Sequence, residues 1–429
     1  MKSVAVIGLG KSGMSAAHFL QKQGYSVFVT DDKKPRDMQG MTFLPPDQMA
    51  ASVAEYEFVV ISPGVALTHA VAVAAHALGK EVFCDVELAF RHIAAKPVSL
   101  IGITGSNGKT TTTTLANHLL NSCKKPAKAV GNIGNPILSE LVLSEIEAPA
   151  PTLVVELSSF QLETMVTAVL DAACILNITP NHLDRHGTME EYTRIKQRIG
   201  TCVKPTGQLW ARKGCGGSIR PYYFGFDPSC DLYSDGVHVH RFGKNECMLP
   251  ELLQYSRSHN VENYLAAYAL ARSLGADPQE CMKAYATFIK PKHRLEYVRT
   301  LNGIMFYDDS KATSVDAVLR AVESIQSPIV LIAGGVHKGY PYTDWQKAFR
   351  NKVKACVLIG QAADSIEQDL QKCVPVFRAQ SLDDAVIKAV QQACSGDAVL
   401  LSPGCASYDM FASFEERGKK FQEIVCSIA

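Results

Sequence analysis

Residues 98–114 read VSLIGITGSNGKTTTTT. An apolar run meets a glycine turn, then a lysine and five threonines. The apolar run has the composition of a buried strand, and the glycines punctuate the turn that follows it. Thr104-Gly105-Ser106-Asn107-Gly108-Lys109-Thr110 ends like a phosphate-binding loop. In such loops backbone amides cradle phosphate oxygens, a lysine reaches the β/γ oxygens and a hydroxyl meets Mg²⁺. The strict G-x-x-x-x-G-K-[ST] spacing fails because position 103 is Ile; the pattern is T-G-x-x-G-K-T. Threonines 110–114 open the expected helix although threonine is a poor helix former. A ligand at the helix start is the expected reason for them.

The same punctuation recurs on both sides. Before the loop, residues 4–8, 25–31, 58–64 and 81–83 read as strands, with a helix over 10–24. After it, 152–157 and 171–179 read as strands, 203–250 as short strands and loops, and 259–275 as a helix. Beyond residue 291, strands are expected near 303–310, 328–335, 354–360 and 397–404. A last helix carries Phe414, Phe421, Ile424 and Val425 on one stripe, opposite Glu415, Glu416, Lys419, Lys420 and Glu423. Strand–helix alternation implies α/β units with parallel sheets. Boundaries fall near residues 94 and 291.

Composition narrows the function. The chain has 429 residues, 47% apolar and 20% charged, with 43 Lys plus Arg against 42 Asp plus Glu. A net charge of +1 argues against a nucleic-acid partner, which needs a clustered basic excess. No apolar run approaches the ~20 residues of a membrane helix, so no membrane partner is expected. The start, MKSVAVIGLGKSG, does not read as a signal peptide. The 13 cysteines include no C-x-x-C pair and are expected to be thiols of a cytoplasmic protein.

Three further stretches carry chemistry. Gly8-Leu9-Gly10-Lys11-Ser12-Gly13 follows a strand and opens a helix, and Asp31 ends the next strand. Amides at a helix start accept a phosphate, so this turn suits a dinucleotide oxidoreductase or another phosphate ligand. Glu156-Leu157-Ser158-Ser159-Phe160-Gln161-Leu162-Glu163 places an acid at a strand end, where it can hold Mg²⁺. Asn177-Ile178-Thr179-Pro180-Asn181-His182-Leu183-Asp184-Arg185-His186 sets two histidines four apart, without the acid or cysteine partner that zinc requires.

Taken together, T-G-S-N-G-K-T, E-L-S-S-F-Q-L and N-I-T-P-N-H-L-D-R-H, followed by Tyr192 and Lys196, resemble the Mur ligase superfamily of ATP-dependent amide ligases. So do His259-Asn260-x-x-Asn263, His293-Arg294-Leu295-Glu296 and Asp309-Ser310-Lys311-Ala312-Thr313. The resemblance covers essentially the whole chain. Ile61-Ser62-Pro63-Gly64-Val65 and the end, Leu401 to Gly418, resemble the D-glutamate-adding branch.

The resemblance implies three α/β domains. These are a Rossmann-like domain over 1–93 for a UDP-substrate, a P-loop ATPase-like domain over 94–290, and a Rossmann-like domain over 291–429 for the amino acid. It implies that the first glycine turn holds UDP rather than NAD. Gly10, Lys11, Ser12, Gly13, Asp31, Ser62, Pro63, Gly64 and Asn132 would meet UDP-N-acetylmuramoyl-L-alanine. Gly105, Ser106, Asn107, Gly108, Lys109, Thr110, Thr111, Asn263, Arg294 and Asp309 would meet ATP. Thr110 and Glu156 would hold one Mg²⁺, and His182 with a carbamylated Lys196 a second; from its helix alone Lys196 reads as solvated. Lys109, His182 and Lys196 would be catalytic. Thr313, Lys338, Ser407 and Phe414 would face D-glutamate, and the protein would act as a monomer. The sequence departs from the family after Gly334-Gly335: the family usually has an acid and a small residue there, whereas this chain has Val336-His337 before Lys338.

Overall fold

Strands such as Val4–Ile7, Leu100–Ile103 and Val330–Ala333 have no polar face, and their residues are at most 1% exposed. Such strands are stable only when helices cover both sides of a sheet, the arrangement of parallel α/β units. The computed structural model describes residues 2–32, 38, 40–144, 151–216, 220–255, 258–337 and 339–428. These residues form three sheets.

Across the first sheet the strands run Thr42–Phe43, Ser26–Thr30, Ser3–Ile7, Phe58–Ile61, Glu81–Cys84, all parallel. The second runs Lys244–Met248, His238–Arg241, Leu232–Ser234, Tyr222–Gly225, Val203–Arg212, Leu170–Ile175, Leu100–Thr104, Thr152–Glu156, Ala127–Gly131. Only its outer hairpins are antiparallel. The third runs Glu296–Leu301, Ile304–Asp308, Ala398–Leu401, Ile329–Gly334, Val353–Ile359, Val376–Arg378, with one antiparallel edge pair.

By contacts the chain divides into two units: 1–178 with 190–288, and 179–189 with 289–429. The first two sheets share a unit because polar bonds join their helices and loops. Ser15 Oγ lies 2.8 Å from Ser139 Oγ, and the Cys84 N–H donates to Thr164 Oγ1 at 3.0 Å. Glu87, buried in helix Asp85–Ile93, accepts from the N–H groups of Val166 and Thr167.

Two readings of the sequence are corrected here. The strand expected over 171–179 stops at Ile175, because the next residues turn toward the phosphate loop. In helix Lys109–Ser122, the threonine run is explained partly by packing: Thr112 and Thr113 are buried, and the Thr112 hydroxyl donates to Asn263 Oδ1 at 3.3 Å. The Thr114 hydroxyl bonds back to the Thr110 carbonyl at 2.8 Å.

The last helix, Phe414–Ser427, buries Phe421, Ile424 and Val425 as expected, but Phe414 is only half-buried. Between them on the inner face lies Arg417, 1% exposed. Its Nε donates to Ser310 Oγ at 2.9 Å, and its Nη atoms to the carbonyls of Ser310 (2.8 Å) and Cys405 (3.2 Å). One guanidinium thus ties the loops after strands Ile304–Asp308 and Ala398–Leu401 to the helix, and burial lowers its pKa to about 10. Arg417→Met keeps most of the stem and removes the guanidinium donors from the Ser310 and Cys405 carbonyls and the Ser310 hydroxyl. At about 1–3 kcal/mol per orphaned group, it should lower the unfolding free energy by roughly 2–5 kcal/mol in a urea titration. A loss well under about 1 kcal/mol would contradict this role.

Candidate active site

The phosphate loop begins where strand Leu100–Thr104 ends. Gly105 and Gly108 have φ of +156° and +83°, and a Cβ on Gly108 would lie 2.5 Å from Asn263 Oδ1. Asn263, near the start of helix His259–Ser273, is thereby brought against the loop. The loop is held from outside by Asn177. Its side chain accepts from the Asn107 N–H at 2.8 Å and donates to the Asn107 carbonyl at 3.1 Å. Its own carbonyl accepts from the Ser106 N–H at 2.9 Å. Lys109 Nζ donates to the Gly105 and Ser106 carbonyls at 2.8 and 2.9 Å. Thr110 and Thr111 stand half-buried in the first helical turn.

Glu156 ends the adjacent strand and is 2% exposed. Its Oε1 accepts from Asn132 Nδ2 at 2.9 Å, while Oε2 is buried without a partner among the described residues. An unpartnered buried carboxylate oxygen is costly unless a cation meets it. The donor chemistry therefore fits Mg²⁺, which takes oxygen ligands.

Lys196, in helix Met189–Gln197, is 1% exposed, so the solvated reading fails. Its Nζ donates to the Gly105 carbonyl at 2.9 Å and sits 4.8 Å above the Tyr192 ring. Burial, reinforced by the Lys109 charge and opposed by Glu156, holds its pKa well below the ordinary lysine value. The Tyr192 hydroxyl lies 3.0 Å from Ser106 Oγ, and burial lifts its pKa to about 12.

In the first sheet the glycine turn meets the loop after the neighbouring strand. Ser62 Oγ donates to the Gly8 carbonyl at 2.8 Å, and a Cβ on Gly13 would lie 1.8 Å from that carbonyl. Around Gly10 a Cβ would meet nothing within 4 Å. Gly10, Lys11 and Gly64 are exposed, Ser12 and Pro63 less so. Asp31 accepts from the Leu9 N–H, so it braces the turn itself.

In the second unit, His182 (φ +54°) caps the short helix Leu183–His186 through its carbonyl. Arg294 and Asp309 belong to the same unit. Asp309 accepts from the Leu295 N–H at 3.1 Å and from the Ser402 hydroxyl at 2.8 Å; burial raises its pKa to about 7. The Thr313 carbonyl accepts from the Tyr340 hydroxyl, which also reaches the Gly404 carbonyl. Ser407 is buried, and the Phe414 ring lies 3.6 Å beneath Lys311 Nζ. Lys338 lies outside the described residues.

Three family models match the chain: a MurD-like N-terminal domain over 2–84, a Mur ligase middle domain over 103–214, and a Mur ligase glutamate ligase domain over 293–405. A UDP-N-acetylmuramoylalanine–D-glutamate ligase of Protochlamydia amoebophila is 42% identical, covering 99% of this chain and 98% of that one. The chain belongs to the Mur ligase family. A relative of the same name from Nitrosococcus oceani is 38% identical over 99% of this chain and 96% of its own. A UDP-N-acetylmuramate–alanine ligase from Thermotoga maritima shares the fold at 18% identity, with a TM-score of 0.64 and full coverage of both chains. A MurF ligase from Thermotoga maritima, solved with ADP, matches at 17% identity and a TM-score of 0.60, covering 93% of this chain and 94% of that one.

Sequence reasoning about this Mur ligase passed over two residues. Asn177 opens the N-I-T-P-N-H-L-D-R-H stretch, yet it carries no local signal of a role of its own. Asp85, the first residue of helix Asp85–Ile93, is 1% exposed. Its Oδ1 has no hydrogen-bond partner among the described residues, and burial outweighs the opposing influence of the nearby Ser12 and Gln161 side chains. Burial raises its pKa from 3.8 to about 6. A raised carboxyl pKa stabilises the fold below the unfolded value, and that contribution is lost as pH rises toward the folded one. Asp85→Asn, which never ionises, should therefore gain on the wild type as pH rises from 3.8 to about 6. The gain should level off at up to about 3 kcal/mol, from about 1.4 per pKa unit. Denaturant midpoints at acidic and neutral pH measure this; a difference independent of pH would contradict it.

Proposed function

We propose that this Mur ligase joins D-glutamate to the L-alanine carboxylate of UDP-N-acetylmuramoyl-L-alanine at the expense of ATP, a step of peptidoglycan synthesis. The observation that carries the reaction class is Glu156, a buried carboxylate with one unpartnered oxygen at the strand end beside the T-G-S-N-G-K-T loop. The choice of amino acid and nucleotide rests on full-length relatives of that name at 36–42% identity.

In the first step a carboxylate oxygen of the L-alanyl group attacks the γ-phosphorus. The bond to the bridging oxygen breaks and ADP leaves, giving an acyl phosphate. The amine of D-glutamate then attacks the carbonyl carbon, inorganic phosphate leaves and a proton is released. Phosphoryl transfer depends on positioning and charge neutralisation. The loop amides of residues 105–108 orient the phosphates, and Lys109 exchanges its loop carbonyls for β/γ oxygens. Thr110 and Glu156 would hold Mg²⁺, which supplies charge neutralisation at the transferring phosphoryl group. Asn132 fixes the Glu156 carboxylate and is offered to the nucleotide substrate. The glycine turn at 10–13 and Ser62–Gly64 take the diphosphate, with Asp31 bracing the turn. Asn263, Arg294 and Asp309 are assigned to the nucleoside and phosphates of ATP. Thr313, Lys338, Ser407 and Phe414 are assigned to D-glutamate. His182 keeps its proposed ligand role on resemblance alone.

Lys196 completes the reading as a carbamate serving a second Mg²⁺. The neutral amine adds to CO₂ and loses a proton, turning a cation into an anionic oxygen ligand. For a solvated lysine, neutrality at pH 7 costs about 4–5 kcal/mol. Burial beside Lys109 lowers that cost here. We further propose a cytoplasmic monomer. Thirteen free thiols suit a reducing compartment.

Phosphate release should require the nucleotide precursor and D-glutamate together, across a panel of amino acids. Micromolar NAD(P)H binding without precursor-dependent ATP turnover would overturn the ligase reading. Lys109→Ala should lose activity by orders of magnitude with the fold intact; retention of more than about a tenth of the rate would contradict its role.

Lys196→Ala should be nearly inactive, and acetate should partly restore it by supplying the missing oxygen ligand. Wild-type protein in labelled bicarbonate should show a carbamate carbon signal by ¹³C NMR that the variant lacks. Absence of that signal from active enzyme would refute the carbamate.

A further inference from the structure

Among the described residues, two groups of histidines and acids have ligand atoms within 4.8 Å of one another: His293, Glu296, Asp308, and Asp235, His238, His240. The first is closed by protein donors. Asp308 Oδ2 accepts from His293 Nδ1 at 2.6 Å and from Gln422 Nε2 at 2.8 Å, and Oδ1 from the Ser310 N–H at 2.9 Å. Glu296 Oε2 accepts from the His293 N–H at 2.8 Å and from Gln422 at 3.2 Å. That network braces the loop carrying Arg294, and it fills both Asp308 oxygens and Glu296 Oε2 with N–H donors.

The second group lies on the outer hairpin of the central sheet, where nothing in the ligase reading places a function. His238 and His240 stand two apart on strand His238–Arg241, so their side chains share a face. A bulge interrupts pairing with the next strand between Val239 and His240. Asp235 reaches them from the turn, in which Gly236 has φ +103°. Its Oδ1 is fixed by the N–H groups of Val237 (2.9 Å) and His238 (2.7 Å). Its Oδ2 lies 2.9 Å from His240 Nε2 and 3.4 Å from His238 Nδ1. The His240 ring stacks on Tyr233, with centroids 4.6 Å apart and planes 7° from parallel.

We propose that Asp235, His238 and His240 form a binding site for a divalent transition metal of the Zn²⁺ class. Ligand bonds of about 2.0–2.2 Å around a tetrahedral ion set neighbouring ligand atoms about 3.3–3.6 Å apart. The observed separations of 2.9 and 3.4 Å straddle that edge. Among the described residues the only donors to Oδ2 are the imidazoles themselves, and each becomes a ligand when the proton on its facing nitrogen is lost or moves to the other nitrogen. A metal thus replaces protons shared at one oxygen. The held Oδ1 and the Tyr233 platform are the kind of outer support that orients ligands. Side-chain exposures of 38%, 19% and 42% for His238, His240 and Asp235 leave the fourth position to water. Two imidazoles favour Zn²⁺, Ni²⁺ or Cu²⁺ over Mg²⁺, so this site and the ATP site select different ions.

The test is equilibrium dialysis of the chelator-treated, reduced full chain against Zn²⁺ with excess Mg²⁺. Wild type should bind one more Zn²⁺ than the His238→Ala/His240→Ala double variant. Asp235→Asn, which keeps the Oδ1 acceptor, should bind that ion at least about tenfold more weakly, as loss of a ligand should exceed the 10–100-fold of outer-shell changes. Co²⁺ substitution should give a visible spectrum without thiolate charge transfer, which separates the site from the cysteines. Equal Zn²⁺ stoichiometry in wild type and double variant, or a thiolate spectrum removed by neither variant, would overturn the proposal.

Discussion

A loop that turns its backbone amides toward phosphate cannot satisfy its remaining polar groups internally. In this chain that constraint is met by side chains from the helices and the strand end that surround it. The Asn177 amide pairs with both backbone groups of Asn107. Lys196 and Lys109 take the Gly105 carbonyl, Tyr192 meets Ser106, and Asn263 fills the space that Gly108 leaves. Besides Lys109, the partners come from three separate segments, at Asn177, at Tyr192 with Lys196, and at Asn263, so the loop's conformation is a property of the wider unit. This is why strand Leu170–Ile175 ends early: its continuation is used as a brace rather than as sheet.

The brace has an electrostatic cost. Two lysines and a glutamate meet where water is scarce, and like charges in a low-dielectric setting repel strongly. The consequence appears at Lys196, whose ammonium form is disfavoured by burial first and by Lys109 second. It appears again at Glu156, whose outer oxygen has no protein donor. A cation at that oxygen and an anion near the two lysines would each relieve part of this cost.

Much of this was legible in the sequence, for definite reasons. Strand, glycine turn and helix leave local marks, so the three α/β sheets and the loop at 104–110 could be read from spacing. The family resemblance then supplied roles that spacing could not. What local patterns cannot show is which polar residue is buried. Lys196 has the periodicity of an exposed helix position, and only the fold reveals the ring and carbonyl that enclose it. Arg417 sits on the apolar stripe of its helix, three residues after Phe414 and four before Phe421, yet its charge reads as surface. Its partners are carbonyls more than ten residues away in the chain, and those leave no mark on composition. The threonine run misled in the opposite sense, since an unusual local feature reflected packing on another helix as well as a ligand site.

The two nucleotide-type turns in the first unit obey one rule: each lies at the carboxyl end of a strand where the sheet order reverses. Gly8 follows the strand whose neighbours lead in opposite directions, and Gly105 does the same in the second sheet. The buried Asp85 carboxyl is influenced by Ser12, in the first turn, and by Gln161, five residues after Glu156. The Gln161 amide also caps its own helix by accepting from the Ser158 N–H and hydroxyl at 2.9 and 3.0 Å. A shift of Ser12 toward a diphosphate would therefore change the surroundings of Asp85. Because that carboxyl is buried, water cannot cheaply make good the change. The turn expected to hold one substrate thus shares a buried carboxyl with the short helix that follows the strand carrying the acid expected to serve the other.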